Sequence, residues 1–80
     1  MKIRKNIALS DTGFVFNPTS GESFNVNPLG VEIITLMKED KDFLEIKKTV
    51  LGKYEIDDIT FEKDYTDFMS LLSQYDLLEN

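Results

Sequence analysis

Cysteine and histidine are both absent from this 80-residue chain, and so is tryptophan. Without cysteine there is no disulfide and no thiolate metal site. Without histidine the usual general base near neutral pH and the commonest transition-metal ligand are missing. The carboxylates that remain show no calcium-loop spacing, so neither a metal nor another cofactor is expected. No apolar run approaches the roughly 18 residues of a membrane span. The N-terminal Met1-Lys2-Ile3-Arg4-Lys5 has no apolar segment behind it, as a secretory signal requires. These absences imply a cytoplasmic protein without a membrane partner. The length fits one domain over residues 1–80, close to the size at which a single core is just sufficient.

Positive charge is scarce in the last third of the chain. Met1 to Tyr54 holds eight basic and seven acidic residues, a balance of +1. Glu55 to Asn80 holds eight acidic residues and only Lys63, a balance of −7. Nucleic-acid affinity rests largely on neutralising phosphates, so this distribution argues against DNA or RNA as a partner. Acidic residues in such numbers keep a small domain soluble.

What the chain does contain is a strand that runs straight into a capped helix. Glu22, Phe24 and Val26 alternate with Ser23 and Asn25, the two-residue period of a half-buried strand. Asn27 is a strong N-cap residue, because its side-chain oxygen accepts from free helix amides. Pro28 follows at the first helical position, where its missing N–H costs nothing. Leu29, Ile33, Leu36 and Met37 then recur at helical spacing.

Upstream, Ile7-Ala8-Leu9 and Phe14-Val15-Phe16-Asn17 are strand-forming segments separated by the turn residues Ser10-Asp11-Thr12-Gly13. Pro18-Thr19-Ser20-Gly21 is a second tight turn. The pattern predicts a three-stranded antiparallel meander over about 7–9, 13–17 and 22–26. Three helices are predicted after it. The first spans about Pro28 to Lys38. The second spans about Phe43 to Lys53, capped by Asp42, with Phe43, Ile46, Val50 and Leu51 inward. The third spans about Thr60 to Tyr75. Thr60 with Lys63 lacks the acidic half of a capping box, while Asp58, Glu62 and Asp64 suit the helix dipole. Leu77 and Leu78 are expected to fold back onto the core.

The third helix carries more apolar surface than a core stripe needs. At about 100° per residue, Phe61, Tyr65, Phe68 and Leu72 share one face. Leu71 and Tyr75 extend it on one flank and Met69 on the other. The arc is then about 160° wide, against about 100° for an ordinary surface helix. Either the surplus packs under the N-terminal strands, or one flank lines an exposed groove where aromatic side chains offer large contact area.

In their order and spacing these segments resemble the PqqD family, small proteins similar to pyrroloquinoline quinone biosynthesis protein D. The resemblance lies in Asn17-Pro18-Thr19-Ser20-Gly21 with Phe24-Asn25-Val26-Asn27, and in Gly30-Val31-Glu32-Ile33-Ile34-Thr35-Leu36-Met37. It continues through Phe43-Leu44-Glu45-Ile46 to Tyr54, then Asp64-Tyr65 with Phe68 and Leu72, and the closing Leu77-Leu78-Glu79. It covers nearly the whole chain. Asp76 stands where many members have Gly, and Tyr75 and Leu71 stand where polar residues are common, which implies a different peptide preference.

The resemblance implies an α+β, winged-helix-like fold of order β-β-β-α-α-α. It also implies a peptide-recognition element of a ribosomal peptide modification system, not an enzyme. Such a module binds the leader segment of a precursor peptide and delivers it to a modifying enzyme, often a radical-SAM enzyme. The leader would add as a further antiparallel strand to the edge formed by Glu22, Ser23, Phe24, Asn25 and Val26. Phe68, Leu71, Leu72 and Tyr75 would wall the pocket, and Asp64 and Asp67 would meet basic leader residues at its rim. An exposed edge offers unpaired N–H and C=O groups that an extended peptide can satisfy. The same edge could pair two copies, so a monomer or weak homodimer is expected.

Two other classes fit the elements less well. A DNA-binding winged helix shares the fold class, but Glu62, Asp64 and Asp67 against Lys63 suit phosphates poorly. A small enzyme would have to use Asp57-Asp58 or Asp64 with Asp67. Acids so placed near a helix start are ordinarily caps and dipole partners.

Overall fold

Pro18 and Gly21 set the hairpin from which the rest of the sheet is registered. In the computed structural model, which describes residues 2–79, the Gly21 amide donates to the Asn17 carbonyl at 2.8 Å, and Gly21 has φ +79°. That positive φ is why glycine closes the turn. The Asn17 side chain is buried beneath it and accepts from the Thr19 amide at 3.0 Å. Met1 and Asn80, the two ends of the expected 1–80 domain, lie outside the described residues.

The elements are β1 (Lys2–Ile3), β2 (Ala8–Leu9), β3 (Phe14–Asn17), β4 (Glu22–Asn25), α1 (Pro28–Lys38), α2 (Phe43–Lys53), α3 (Asp58–Gln74) and β5 (Leu78–Glu79). The fold is α+β, with the strands leading and the helices following. β2, β3 and β4 form the expected antiparallel meander, with Phe24 opposite Val15 and Ser23 opposite Phe16. The sequence reading did not anticipate the second sheet, in which β1 pairs antiparallel with β5.

Each helix starts on a side-chain cap. Asn27 Oδ1 accepts from the Gly30 amide at 2.8 Å, with Pro28 at the first helical position. Asp42 and Glu45 form a reciprocal capping box at α2. α3 begins earlier than expected. Asp57, not Thr60, is its cap, and the Thr60 amide donates to Asp57 Oδ1 at 2.7 Å. These donors hold the Asp57 carboxyl below the usual aspartate range.

The core gathers side chains from every layer. Ile3, Ile7 and Val15 come from the strand half, Ile33, Ile34, Leu36 and Met37 from α1, and Ile46 and Val50 from α2. Phe61 and Leu72 come from α3, and Leu77 and Leu78 fold back as expected. Phe43 and Tyr65 meet edge to face at 4.9 Å and join α2 to α3. Lys47 of α2 bridges to Glu62 at 2.7 Å and Asp58 at 3.7 Å on α3. The hydrogen bond to Glu62 is the main reason its ammonium is held above the usual lysine range.

Two positive-φ aspartates are secured by the N-terminal arm. Asp76 has φ +59°, and Asp40 has φ +63°. Aspartate tolerates this region better than most residues. Arg4 donates from Nε to the Asp76 carbonyl at 2.9 Å and from Nη2 to Asp76 Oδ1 at 3.0 Å. Lys5 Nζ donates to Asp40 Oδ1 at 2.9 Å and to the Lys38 carbonyl at 3.0 Å.

Candidate peptide-binding site

Hydrogen-bond alternation decides which groups of β4 are available. The Val26 amide donates to the Gly13 carbonyl at 2.8 Å, extending the β3–β4 ladder by one pair. Hydrogen-bonded and non-bonded pairs alternate along an antiparallel ladder. Glu22, Phe24 and Val26 therefore bond inward to β3. The N–H and C=O groups of Ser23 and Asn25 point away from it, along the edge where, among the described residues, β4 has no neighbouring strand. The Ser23 and Asn25 side chains are themselves exposed. Gly13 keeps this register tight: it has φ +95°, and an added Cβ would run into the Val26 carbonyl oxygen.

The inner face of β4 meets the end of α3. Phe24 stacks on Tyr75 with ring centroids 4.8 Å apart and planes 19° apart. Both rings are half-buried. Further along, the strand passes through Val26 into the α1 cap, and α1 lies close against it. A Cβ on Gly30 would sit 2.8 Å from Val26 Cβ. This close approach leaves a cleft of about 360 Å³ between the start of α1 and the middle of α3. Asn27, Leu29, Gly30 and Ile33 form one wall, and Asp64, Asp67, Phe68 and Leu71 form the other. Small-molecule sites run from about 300 to 1,000 Å³, so the space is small for a cofactor and ample for one or two apolar side chains. A larger hollow of about 500 Å³ is bordered by Thr66, Met69, Ser70, Ser73 and Gln74, all from α3. Because one helix supplies its whole border, it is helix surface and not a cleft between elements.

The residues singled out from the sequence thus fall into three groups. Glu22, Ser23, Phe24, Asn25 and Val26 form the edge and its inner face. Asp64, Asp67, Phe68 and Leu71 line the cleft, and Tyr75, one turn further along α3 and outside that lining, stacks on Phe24. Leu72 requires correction: it is 0% exposed, so it supports the wall from behind and presents nothing to a ligand. The α1 wall was missed. Leu29 and Ile33 read from sequence as core positions of an amphipathic helix, and only the glycine between them hinted at a close approach.

The rim is negative. Asp64 and Asp67 are exposed, and Lys63 lies 3.5 Å from Asp67. Among the described residues no group of three or more potential ligands could hold a metal ion. No helix among them is long and apolar enough to cross a membrane.

A family model described as coenzyme PQQ synthesis protein D (PqqD) matches residues 12–78, and the chain belongs to the PqqD family. No curated protein matches the chain. Among solved structures it is similar to TbiB1, determined in complex with the TbiA(beta) leader peptide. The two are 30% identical, with 100% of this chain and 96% of that chain covered and a TM-score of 0.88.

Proposed function

We propose that this chain is a non-catalytic recognition module. It binds the leader segment of a ribosomally made precursor peptide and presents the precursor to a modifying enzyme, a radical-SAM enzyme being the expected kind. The observation that carries this reading is the open edge of β4 standing beside an apolar cleft. The likeness to TbiB1 in its leader complex supports it.

The mechanism is strand addition. The outward N–H and C=O groups of Ser23 and Asn25 bond to the leader backbone, which supplies affinity independent of sequence. Alternate leader side chains face α3 and enter the cleft, which supplies selection. The binding surface is preformed by the Asn17–Gly21 turn, the Gly13 register and the Asn27 cap, so little ordering cost falls on the module. With a leader held and the enzyme docked, the modifiable segment meets the active site at a high effective concentration. The chain needs no reactive group for this task.

The test is a titration of isotope-labelled protein with a candidate leader peptide, the TbiA(beta) leader being the first probe. Amide shifts and slowed exchange at residues 22–26, with side-chain shifts at Phe68, Leu71 and Tyr75, support the proposal. Shifts confined to α2, or to the Asp11-Thr12-Gly13 turn, reject strand addition even if the peptide binds tightly.

A further inference from the structure

The groove beside β4 is not uniform along its length, and its gradient has a direction. Asp64, Asp67, Phe68, Leu71 and Tyr75 stand at i, i+3, i+4, i+7 and i+11 and so form one stripe on α3. One end is acidic, the middle is apolar, and the other end is the aromatic stack with Phe24. β4 runs along this stripe in the opposite sense. Phe24 lies beside Tyr75, while Asn27 and the α1 start lie beside the part of α3 between Asp64 and Leu71.

Resting on the strand-addition reading above, we infer that the recognised peptide carries a lysine or arginine two positions N-terminal to its apolar anchor. Antiparallel pairing is slightly the more stable of the two modes. In that mode a peptide residue opposite Phe24 points at the aromatic stack, and the residue two before it lies opposite Val26 and points into the cleft. The residue two earlier again lies beyond the end of β4, at the acidic rim. The helix spacing agrees. About four helical residues, roughly 6 Å, separate the centre of Phe68 and Leu71 from the centre of Asp64 and Asp67. Two extended residues span about 6.6 Å. All three side chains fall on one face, so the epitope has the order basic, any, apolar, any, apolar. Charge complementarity sets its polarity: reversing the peptide would carry its cation to the Phe24–Tyr75 stack, leaving Asp67 with Lys63 alone and Asp64 with no cation from the peptide.

The experiment is selection from a displayed library of random 12-residue peptides on the immobilised full chain, with the Leu71→Asp variant as the counter-selection. Enrichment of apolar residues at alternate positions, with Lys or Arg two places before the first, supports the inference. An apolar pattern without that cation, or with it on the C-terminal side, overturns the inference and leaves peptide binding standing. No enrichment over the counter-selected variant overturns peptide binding and this inference with it. A selected peptide should then lose about fivefold in affinity for an Asp64→Asn/Asp67→Asn double variant, the scale of an exposed ion pair. Its Lys→Gln counterpart should bind both proteins equally. Both aspartates are exposed, and a retained cooperative thermal transition verifies folding. An unchanged affinity of the basic peptide for the double variant removes the rim from recognition.

Discussion

Proline placed at Asn25 separates the fold of β4 from its proposed task. The Asn25 N–H points along the free edge, so its removal breaks no bond to β3. Proline also biases the preceding Phe24 to extended backbone, which Phe24 already has as a strand residue. A cooperative thermal transition should therefore survive in Asn25→Pro. Leader binding should not. One ladder bond is lost, worth about 0.5–1.5 kcal/mol, and a peptide carbonyl is left facing the proline ring unsatisfied, at about 1–3 kcal/mol. Together these predict a loss of about 1.5–4.5 kcal/mol, or roughly 10- to 2,000-fold in Kd. Asn25→Ala and Ser23→Ala remove only outward side chains and should change binding by less than about 1 kcal/mol. Phe24→Pro is the contrasting control: it deletes an inward donor opposite Val15 and should unfold the sheet. Calorimetric titration of the variants, with circular dichroism to verify folding, decides the matter. An Asn25→Pro protein that folds and binds like the parent refutes strand addition at this edge.

Leu72→Ala empties a fully buried site and should cost about 2–5 kcal/mol by thermal or denaturant unfolding. Leu71→Asp, at the half-buried cleft wall, should keep a cooperative transition and abolish leader binding; if both variants unfold alike, Leu71 is plain core. Gly13→Ala combines a positive φ with a clash against the Val26 carbonyl and should loosen the β3–β4 register, seen as faster amide exchange at Val26. Asp40 and Asp57 both have lowered pKa values, Asp40 chiefly through the hydrogen bond from Lys5 and Asp57 chiefly through the Thr60 amide. Their contribution to stability is therefore full above the ordinary aspartate value of about 3.9 and lost as pH falls through the lowered folded values. Melting curves of Asp57→Asn and the parent should differ in pH dependence there; parallel curves exclude the cap carboxylate as a source of acid sensitivity.

Local chemistry makes much of this fold legible from the residues alone. Asn27 followed by Pro28 can start a helix in few other ways, and Pro18 with Gly21 leaves little freedom in the turn. The alternation from Glu22 to Val26 assigned the correct face to Phe24. What escaped was non-local. β1 and β5 are two residues each, too short for any period to register, and each is a strand only because the other is there. At the start of α3, Asp57, Asp58 and Thr60 are all cap-forming residue types, and although aspartate outranks threonine, nothing local separates Asp57 from Asp58. The wide arc of α3 exposed a surplus but not its allocation. Phe61 and Leu72 went to the core, Tyr65 to Phe43, and Phe68 and Leu71 to the cleft, because α2 and α1 approach from different sides. Half of the cleft belongs to α1, whose Leu29 and Ile33 look like any other core stripe until the second wall is in view.

The pairing of β1 with β5 also has a kinetic consequence. Ile3 faces Leu78 across nearly the full chain, whereas β2, β3 and β4 are joined by turns of a few residues. Closing a long loop costs more entropy than closing a short one, and hairpins form within about 1–10 μs. The meander and helices thus assemble first, and the arm bearing Ile3, Arg4 and Lys5 locks last, drawing the two Asp turns tight as it closes. The same order reversed makes the arm the first segment to open. Opening the arm would uncover Ile3 and Leu78, both core side chains, so amide exchange in β1 and β5 compared with β4 reads how far this closure is independent of the three-stranded sheet.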